Sequence, residues 1–339
     1  FGRRIALLQG GARFFEPGVF YAKDAFEGLE LVDALTSDPQ KRSDLLERTK
    51  REALAQRERR AAVPASRVPS ISAVKTELAP VPVPPFWGVR TLEEIDFEEL
   101  WACFDLRSLY RLSWGAANTK GEAFEQLVRT EFEPRLARYQ AETPRERLIQ
   151  PAVVYGYFPA AGLGNEVLVY DPIAPDREIA RFPFPRQAGG EHLSLADYLR
   201  EPRNGAGSDV VALQVVTVGR DAGAQIERLQ AAGDYSESYF LHGFSVQSAE
   251  ALAEYAHRNI RRELGLPASR GKRYSWGYGA CPDLDQHATV FRLLDATAKI
   301  GVTLTEAFQI VPEQSTAAIV MHHPKAAYFN AAATKEIAV

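Results

Sequence analysis

Apolar residues recur at distinct spacings along the chain, and each spacing predicts a different element. Val210–Val218 is a nearly continuous apolar run, which is typical of a central strand buried on both faces. Between Ser248 and Leu264, alanine, leucine and isoleucine recur at helical spacing, so this segment is predicted to form an amphipathic helix. Thr119–Tyr139 has a similar pattern and predicts a second long helix, and residues 97–103 predict a shorter one.

Two further apolar segments, Ala152–Phe158 and Glu166–Tyr170, predict neighbouring strands. The glycines in Pro159–Gly164, which connects them, indicate a hairpin loop. A late strand is predicted in the closing segments, Gly301–Phe308 and Ile310–Tyr328. Because this order lacks the regular alternation of strand and helix found in doubly wound folds, the predicted fold class is α+β.

The start of the chain predicts one strand and one helix, which cannot form a core by themselves. Val19–Ala22 is predicted to be a short buried strand, and Asp24 can cap a helix from Ala25 to about Leu35. A parallel βα unit needs neighbouring strands and a second layer. Because the chain also begins with phenylalanine and not methionine, we expect it to be a processed product or a part of a longer protein.

Residues 37–85 differ in composition from the segments on either side. Charged residues after an initial proline predict a mostly solvated helix over Lys41–Arg60. Residues 61–85 then contain six prolines, which favour an extended, stiff spacer. We therefore predict three parts: a domain remnant at 1–36, a helical and proline-rich linker at 37–85, and a main domain at 86–339.

The composition excludes several classes of protein. The 40 basic and 44 acidic side chains give a net charge of −4, which does not fit a polybasic nucleic-acid binder. No apolar run approaches the roughly 18 residues that a membrane span needs. The two cysteines, Cys103 and Cys281, are too far apart in the sequence for a disulfide framework or a Cys-rich zinc site. We therefore expect a cytoplasmic protein.

The richest candidate site is the segment from Arg273 to Asp283, which lies between two predicted helices. Gly277 and Gly279 allow the backbone to approach a ligand closely, and Arg273 offers a planar fork for a carboxylate. The aromatic rings of this segment, which can stack on a flat ligand, are those of Tyr274, Trp276 and Tyr278. These residues favour a small-molecule site, and an aromatic structural turn is the alternative.

Three other motifs have simpler interpretations. Gly162–Gly164 joins two predicted strands, whereas a nucleotide-binding glycine loop joins a strand to a helix, so a hairpin is favoured. Glu254 and His257 match half of a di-iron motif, but the sequence contains no second copy, which favours a solvated helix face. Asp283–His287 has the charges expected in the first turn of the helix that follows.

Several segments resemble, in the same order, those of the C-terminal activation domain of cobalamin-dependent methionine synthases. Arg273–Asp283 resembles the family's Arg-x-x-x-Gly-Tyr-Pro-Ala-Cys-Pro signature, and Ser248–His257 resembles a helix that precedes it. The other matching segments are Phe104–Asp105, Trp114–Gly115, Leu304–Glu306, Ser315 and His323–Phe329. Near the start, Ala12–Phe15 and Tyr21–Ala25 resemble the last strand and helix of a cobalamin-binding domain.

The resemblance implies an α+β activation domain with a central, mainly antiparallel sheet flanked by helices, preceded by a remnant βα unit of a doubly wound cobalamin domain. It implies S-adenosylmethionine as the ligand, with Asp105 and Glu250 near its cationic groups and Arg273 on its carboxylate. The other residues that the resemblance places at the ligand are Gly277, Tyr278, Ala280, Tyr328 and Phe329. Tyr278 and Tyr328 are also expected to face cobalamin, and no catalytic side chain or metal site is expected on this chain.

The implied function is reactivation of methionine synthase. Bound S-adenosylmethionine donates its methyl group to reduced cobalamin, with an electron from flavodoxin or a similar donor. The expected partner is the cobalamin-binding domain of the same parent chain, zinc is expected only in the parent's homocysteine module, and a monomer is expected. A module that senses S-adenosylmethionine without transferring its methyl group needs the same pocket and is the alternative. A free-standing doubly wound methyltransferase is disfavoured, because its acidic-x-Gly-x-Gly loop is absent from the sequence.

The sequence departs from the family pattern in two ways. Gly279 stands where the family usually has proline, which predicts a looser loop. The Asp-x-His-x-x-Gly motif, whose histidine binds cobalt in the family, does not occur in the sequence. We therefore expect no tight binding of cobalamin by this chain alone.

Overall fold

The computed structural model describes residues 25–36, 39–48, 51, 74 and 80–331. The chain divides into two compact units, Phe1–Val68 and Pro69–Val339. The predicted strand Val19–Ala22 and most of the proline-rich residues 61–85 lie outside the described residues.

The described part of the first unit is helical. Helix α1 (Ala25–Thr36) confirms the helix predicted after Asp24. In its last turn, the Thr36 hydroxyl donates a hydrogen bond to the carbonyl of Val32 at 2.7 Å. The described residues 39–48 are helical and are named α2. Pro39 is the first of them, and proline is compatible with the first turn of a helix because the N–H groups there have no partner within the helix.

The described part of the second unit contains a seven-stranded antiparallel sheet. The strands, with the short β7–β8 pair that forms a separate sheet, are β1 (Gly88–Thr91), β2 (Ala152–Leu163), β3 (Glu166–Tyr170), β4 (Glu178–Pro183), β5 (Asp209–Thr217), β6 (Lys272–Ser275), β7 (Thr303–Leu304), β8 (Ile310–Val311) and β9 (Ser315–Met321). The order in the large sheet is β4–β3–β2–β5–β9–β6, and β1 pairs with the first half of β2. Strand β6, which begins the candidate segment, therefore lies at an edge.

Helices cover both faces of the sheet. They are α3 (Phe97–Trp101), α4 (Leu106–Ser108), α5 (Gly121–Leu127), α6 (Glu133–Glu146), α7 (Asp221–Ala231), α8 (Tyr235–Glu263), α9 (His287–Leu294) and α10 (Ala296–Ile300). Alternate residues of β5 enter two separate cores: Val216 lies with Leu252 of α8, and Val215 lies with Phe291 of α9. The predicted α+β fold, with a buried central strand and flanking helices, is confirmed. No helix in the described part of the chain is long and apolar enough to cross a membrane.

Both long helices predicted from periodicity are present, but with different bounds. The pattern at Thr119–Tyr139 becomes α5 and α6, joined by a π-helical turn at Val128–Phe132. Helix α8 begins several turns before the predicted start at Ser248. In this added part, a Cβ on Gly243 would lie 2.7 Å from the ring of Trp114. The first part of α8 thus packs through its backbone on an indole ring. It lacks the regular apolar stripe on which the prediction depended, so the predicted helix began too late.

The predicted hairpin is confirmed, because β2 and β3 pair antiparallel, but its loop is only Gly164 and Asn165, since β2 continues through Leu163. Ala160 and Ala161 have no exposed surface, and their small side chains let the strand pair with β3 while other elements cover both faces. Gly162 has a specific reason to lack a side chain: a Cβ there would collide with the carbonyl oxygen of Ala196. Of the two glycines that suggested a turn, Gly164 forms it with a φ of +60°, whereas Gly162 allows close packing on the extended strand.

We expect Gly162→Ala to lower the free energy of unfolding by about 1–3 kcal/mol, because the added methyl group overpacks a rigid backbone contact. Gly223→Ala, in α7, is the control: a Cβ at this position meets no atom within 4 Å, and alanine is favoured over glycine in helices. Denaturant unfolding of both variants measures the difference. Equal stabilities would mean that the backbone at Ala196 moves aside without cost.

Candidate functional site

A cavity of about 370 Å³ lies beside edge strand β6 and is bounded on one side by α8. This volume falls within the range of roughly 300–1,000 Å³ that is typical of small-molecule sites. The cavity is lined by Glu250, Arg273, Tyr274, Ser275, Tyr278, Gly279, Ala280, Cys281, Tyr328 and Phe329. Six of the eight residues predicted for the ligand site are among them, and the two that are not are Asp105 and Gly277.

Arg273 is held in one position by two neighbours inside this cavity. Its Nη1 donates to the Ser275 hydroxyl at 3.0 Å, and its Nη2 donates to Glu250 Oε2 at 3.2 Å. Ser275 lies two residues further along β6, so both side chains emerge on the same face of the strand. A guanidinium has more N–H donors than these two contacts use. Arg273 can therefore bind a carboxylate without being rearranged first.

The two members of the Arg273–Glu250 pair differ in exposure. The side chain of Arg273 is 14% exposed, whereas that of Glu250 is 42% exposed. The arginine thus lies toward the interior and the glutamate reaches the solvent. An anionic group entering the cavity would find the guanidinium at depth, and a cationic group would find the carboxylate nearer the surface.

A second polar cluster continues along α8 from Glu250. Glu254 contacts the His257 ring at 3.3 Å and Arg261 at 3.1 Å. Burial raises the pKa of the Glu254 carboxyl, but the hydrogen bond to His257 and the charge of Arg261 outweigh it and lower the pKa to about 2. His257 is only 2% exposed, so the prediction of a solvated helix face is wrong at this residue. The helix packs against neighbouring elements here, which a single-helix pattern does not reveal.

The signature segment after β6 forms a tight turn. The N–H of Gly277 donates to the carbonyl of Cys281 at 2.9 Å, and the N–H of Cys281 donates to the carbonyl of Tyr278 at 3.0 Å. Gly277 has a φ of +88°, which favours glycine. Its role in the structure is to close the turn, whereas the sequence suggested close approach to a ligand. The turn places Tyr278 at the cavity with 56% of its surface exposed.

Two other residues of this segment serve the core. Trp276 is 4% exposed, and its indole N–H donates to Gln286 Oε1 at 2.9 Å. It does not line the cavity, so its predicted role as a stacking surface is not supported. The thiol of Cys281 donates to the carbonyl of Ser275 at 2.9 Å. Burial raises the pKa of this thiol to about 12, which makes it a poor nucleophile.

Tyr328 and Phe329 form the outer wall of the cavity. The ring of Tyr328 lies edge-on to the ring of Tyr274, with 5.6 Å between centroids. Tyr328 is 70% exposed, although its hydroxyl is partly shielded and burial raises its pKa. With Tyr278, it gives the mouth of the cavity two aromatic rings that face solvent.

Asp105 does not line this cavity. Its carboxylate caps α4, accepting hydrogen bonds from the backbone N–H of Ser108 at 3.1 Å and from the Ser108 hydroxyl at 2.6 Å. These two hydrogen bonds lower the pKa of Asp105. Leu106 and Arg107, which follow it, line a different cavity of about 510 Å³. The assignment of Asp105 to the ligand stays a prediction.

Four lining residues were not among the ligand contacts implied by the resemblance: Tyr274, Ser275, Gly279 and Cys281. The sequence had indicated Tyr274 and Gly279 as possible ligand contacts of the candidate segment, but not Ser275 and Cys281. One of them had a usable signal. Once Arg273 is placed on a strand, the alternation of side chains puts Ser275 on the same face. The positions of Gly279 and Cys281 depend on the fold of the turn and of the segment around Tyr328, which periodicity does not predict.

Comparison with known proteins identifies the family and the fold. Residues 89–338 match the family model described as vitamin B12 dependent methionine synthase, activation domain. A solved structure described as the MetH reactivation domain bound to AdoHcy has the same fold. Its TM-score is 0.64 at 24% sequence identity, over 75% of this chain and 84% of that chain.

Two methionine synthases are related over nearly the whole chain. That of Mycobacterium tuberculosis (strain ATCC 25618 / H37Rv) is 37% identical over 364 residues, and that of Mycobacterium leprae (strain TN) is 37% identical over 366 residues. Each match covers 94% of this chain but only 30% of the relative. With a family match that extends over most of its length, the chain belongs to the family of vitamin B12 dependent methionine synthase activation domains.

Proposed function

We propose that this chain binds S-adenosylmethionine in the cavity beside β6 and presents its methyl group to cobalamin carried by another domain, which reactivates methionine synthase. The observation that carries the proposal is the Arg273–Glu250 pair within a cavity whose mouth has two exposed aromatic rings. This arrangement offers one site for a carboxylate, one for a cationic centre and flat surfaces for a ring system.

The charged groups would orient the methionine part of the ligand. Arg273 is already fixed by Ser275 and binds the carboxylate through the guanidinium N–H groups that are not used in its bonds to Ser275 and Glu250. Glu250 places a negative charge near the ammonium and sulfonium groups, and such attraction is stronger in a partly buried site than in water. Both ends of the ligand tail are then set before the methyl group meets its acceptor, which lowers the entropic cost of transfer.

The aromatic residues would contact two different groups, the adenosine part of the ligand inside the cavity and the corrin outside it. Inside the cavity, Tyr278, Ala280, Tyr328 and Phe329 form walls for the adenosine part. Outside it, the exposed rings of Tyr278 and Tyr328 fit the flat face of a corrin. The chemistry that cobalamin supplies when bound is acceptance of the methyl group at its metal centre. The residues of this chain bind and orient the donor.

The wider context is also part of the proposal. The curated relatives are about three times as long as this chain, which covers 30% of each. We propose that residues 1–36 belong to a cobalamin-binding domain, that residues 37–85 link it to the activation domain at 86–339, and that this cobalamin domain is the partner. A flavodoxin or similar protein supplies the electron, and the protein acts as a monomer in the cytoplasm.

We expect the chain to bind S-adenosylmethionine in the absence of cobalamin, because every lining residue belongs to the second unit. Isothermal titration calorimetry measures this binding. Adenosine, which lacks the carboxylate and the sulfonium, is the control and should bind more weakly. Absence of heat with S-adenosylmethionine, or equal affinity for adenosine, would contradict the proposal.

A second assay separates transfer from sensing. Reduced cobalamin on an isolated cobalamin-binding domain is mixed with this chain and S-adenosylmethionine, and methylation is followed by absorbance. We expect methyl transfer that depends on this chain. Binding without transfer would instead favour a regulatory module.

A further inference from the structure

The residues after β9 hold the outer wall of the cavity in place although they form no helix or strand. We name His323–Ala331 the strap. Tyr328 and Phe329, in its second half, line the cavity. An irregular segment has no ladder of backbone hydrogen bonds to fix it, so the contacts that hold the strap come from elsewhere in the fold.

The first of these contacts is at Ala327. The hydroxyl of Tyr274 donates to the carbonyl of Ala327 at 2.7 Å, and the N–H of Ala327 donates to the hydroxyl of Tyr198 at 3.2 Å. The two tyrosine rings are stacked, with 6.2 Å between centroids, and both are almost fully buried. Burial raises the pKa of both hydroxyls, so they remain protonated. Both backbone polar groups of Ala327, its N–H and its carbonyl, are thus bound by a rigid aromatic pair.

The second contact is at Gly279 in the signature turn. The N–H of Ala331 donates to the carbonyl of Gly279 at 3.0 Å. A Cβ on Gly279 would lie 2.5 Å from Asn330 Oδ1 and 3.0 Å from Asn330 Cα. The absence of a side chain at Gly279 therefore lets the backbone of the strap lie directly on the turn. The departure that suggested a looser loop instead permits a close contact.

We propose that these two contacts are fixed points of the strap and that Tyr198 and Gly279 are positioning residues for the ligand. The fixed points are Ala327 and Ala331, and only three residues lie between them. Two of these are Tyr328 and Phe329, whose side chains therefore have little freedom to move away from the cavity. Tyr198 does not line the cavity, and it reaches the strap through its hydroxyl at Ala327 and through its ring, whose centroid lies 6.5 Å from that of Phe329. The inference rests on the proposed function, in which Tyr328 and Phe329 hold S-adenosylmethionine.

A substitution at Gly279 and its compensation test the second fixed point. In the full chain, Gly279→Ala is expected to weaken S-adenosylmethionine binding about tenfold, because the methyl group pushes the strap outward. Asn330→Gly removes the side-chain atoms that the methyl group meets, and alone it should change the affinity by less than about threefold. The double variant should recover most of the lost affinity, since it removes the two nearest of these atoms, Asn330 Oδ1 and Cγ, and leaves Asn330 Cα at 3.0 Å.

Tyr198→Phe tests the first fixed point while keeping the buried ring. We expect a loss of affinity of about fivefold from the missing hydrogen bond, with faster ligand dissociation. Tyr157→Phe is the matched control: Tyr157 is fully buried, and its hydroxyl donates to Glu263 Oε2 at 2.7 Å, in the core beside α8. It should lower the melting temperature and leave the affinity unchanged.

The outcomes separate the two proposals. A wild-type chain that does not bind S-adenosylmethionine overturns the proposed function. A wild-type chain that binds, with Gly279→Ala and Tyr198→Phe binding equally well, overturns the strap inference alone. If the double variant binds S-adenosylmethionine as weakly as Gly279→Ala does, the Asn330 side chain is not the group that the added methyl group displaces. Circular dichroism monitors folding, and if Gly279→Ala does not fold, Tyr198→Phe against Tyr157→Phe decides the inference.

Discussion

Arg273→Ala is expected to cost about 2–5 kcal/mol of binding free energy for S-adenosylmethionine, a rise in Kd of about 30-fold to 4,000-fold. The guanidinium is mostly buried, and Ser275 and Glu250 fix it in the cavity. Its removal would leave the ligand carboxylate without a partner in a partly dehydrated site, and Glu250 would lose its ion pair. The measurement is calorimetric titration of both proteins under the same conditions.

Two variants control for charge and for surface effects. Arg273→Lys keeps the positive charge but loses the planar fork, so it should recover only part of the affinity. Arg181→Ala removes an arginine on β4 that pairs with Glu166 and Glu178 at an exposed surface, and it should bind the ligand normally. Unchanged affinity in Arg273→Ala would remove this arginine from the site and with it the observation that carries the proposed function.

Tyr278→Ala and Tyr328→Ala are expected to slow methyl transfer to a supplied cobalamin-binding domain by about 10- to 30-fold, and to reduce ligand affinity by a smaller factor. The methyl group must point out of the cavity because its acceptor arrives on another domain. Under the proposed function we therefore expect residues at the mouth to meet the corrin, and these two are 56% and 70% exposed. Transfer rate and ligand Kd are measured side by side for each variant.

Tyr235→Ala is the matched control for these two variants. Tyr235 is 69% exposed at the start of α8 and does not line the cavity, so its loss should affect neither measurement. If Tyr278→Ala and Tyr328→Ala methylate normally, the corrin does not meet this surface. If both lose transfer and affinity in equal proportion, their role is confined to the ligand.

The elements that could be predicted are those whose pattern is local. The nearly continuous apolar run at Val210–Val218 forms a strand because its valines favour extended backbone and a strand covered on both faces buries the whole run. The stripe from Ser248 to Leu264 forms a helix because its apolar residues meet on one face only at helical spacing. In both segments the burial of side chains and the backbone preference favour the same structure.

The residues around Arg273 could also be identified from sequence, for a different reason. Arginine, glycines and aromatic rings within one short segment are chemically unusual, and Arg273 and Tyr278 of this segment do line the cavity. Glu250, Ala280, Tyr328 and Phe329, which also line it, were predicted from the resemblance to the family. The sequence around Asp105 has no comparable cluster of unusual residues. Its carboxylate caps α4 through Ser108, a role that a lone aspartate before a short helix can also have.

The sequence by itself determined the class of fold, the central strand, the long helix and the segment that carries the chemistry. The tertiary structure alone decided that Gly162 lies in a strand, that Gly279 receives the strap, and that Glu250 meets Arg273. Each of these is a contact between elements far apart in sequence, and packing against the partner sets it. Glycine is compatible with a turn, a strand and a close backbone contact, so only the neighbouring atoms decide which of these it serves.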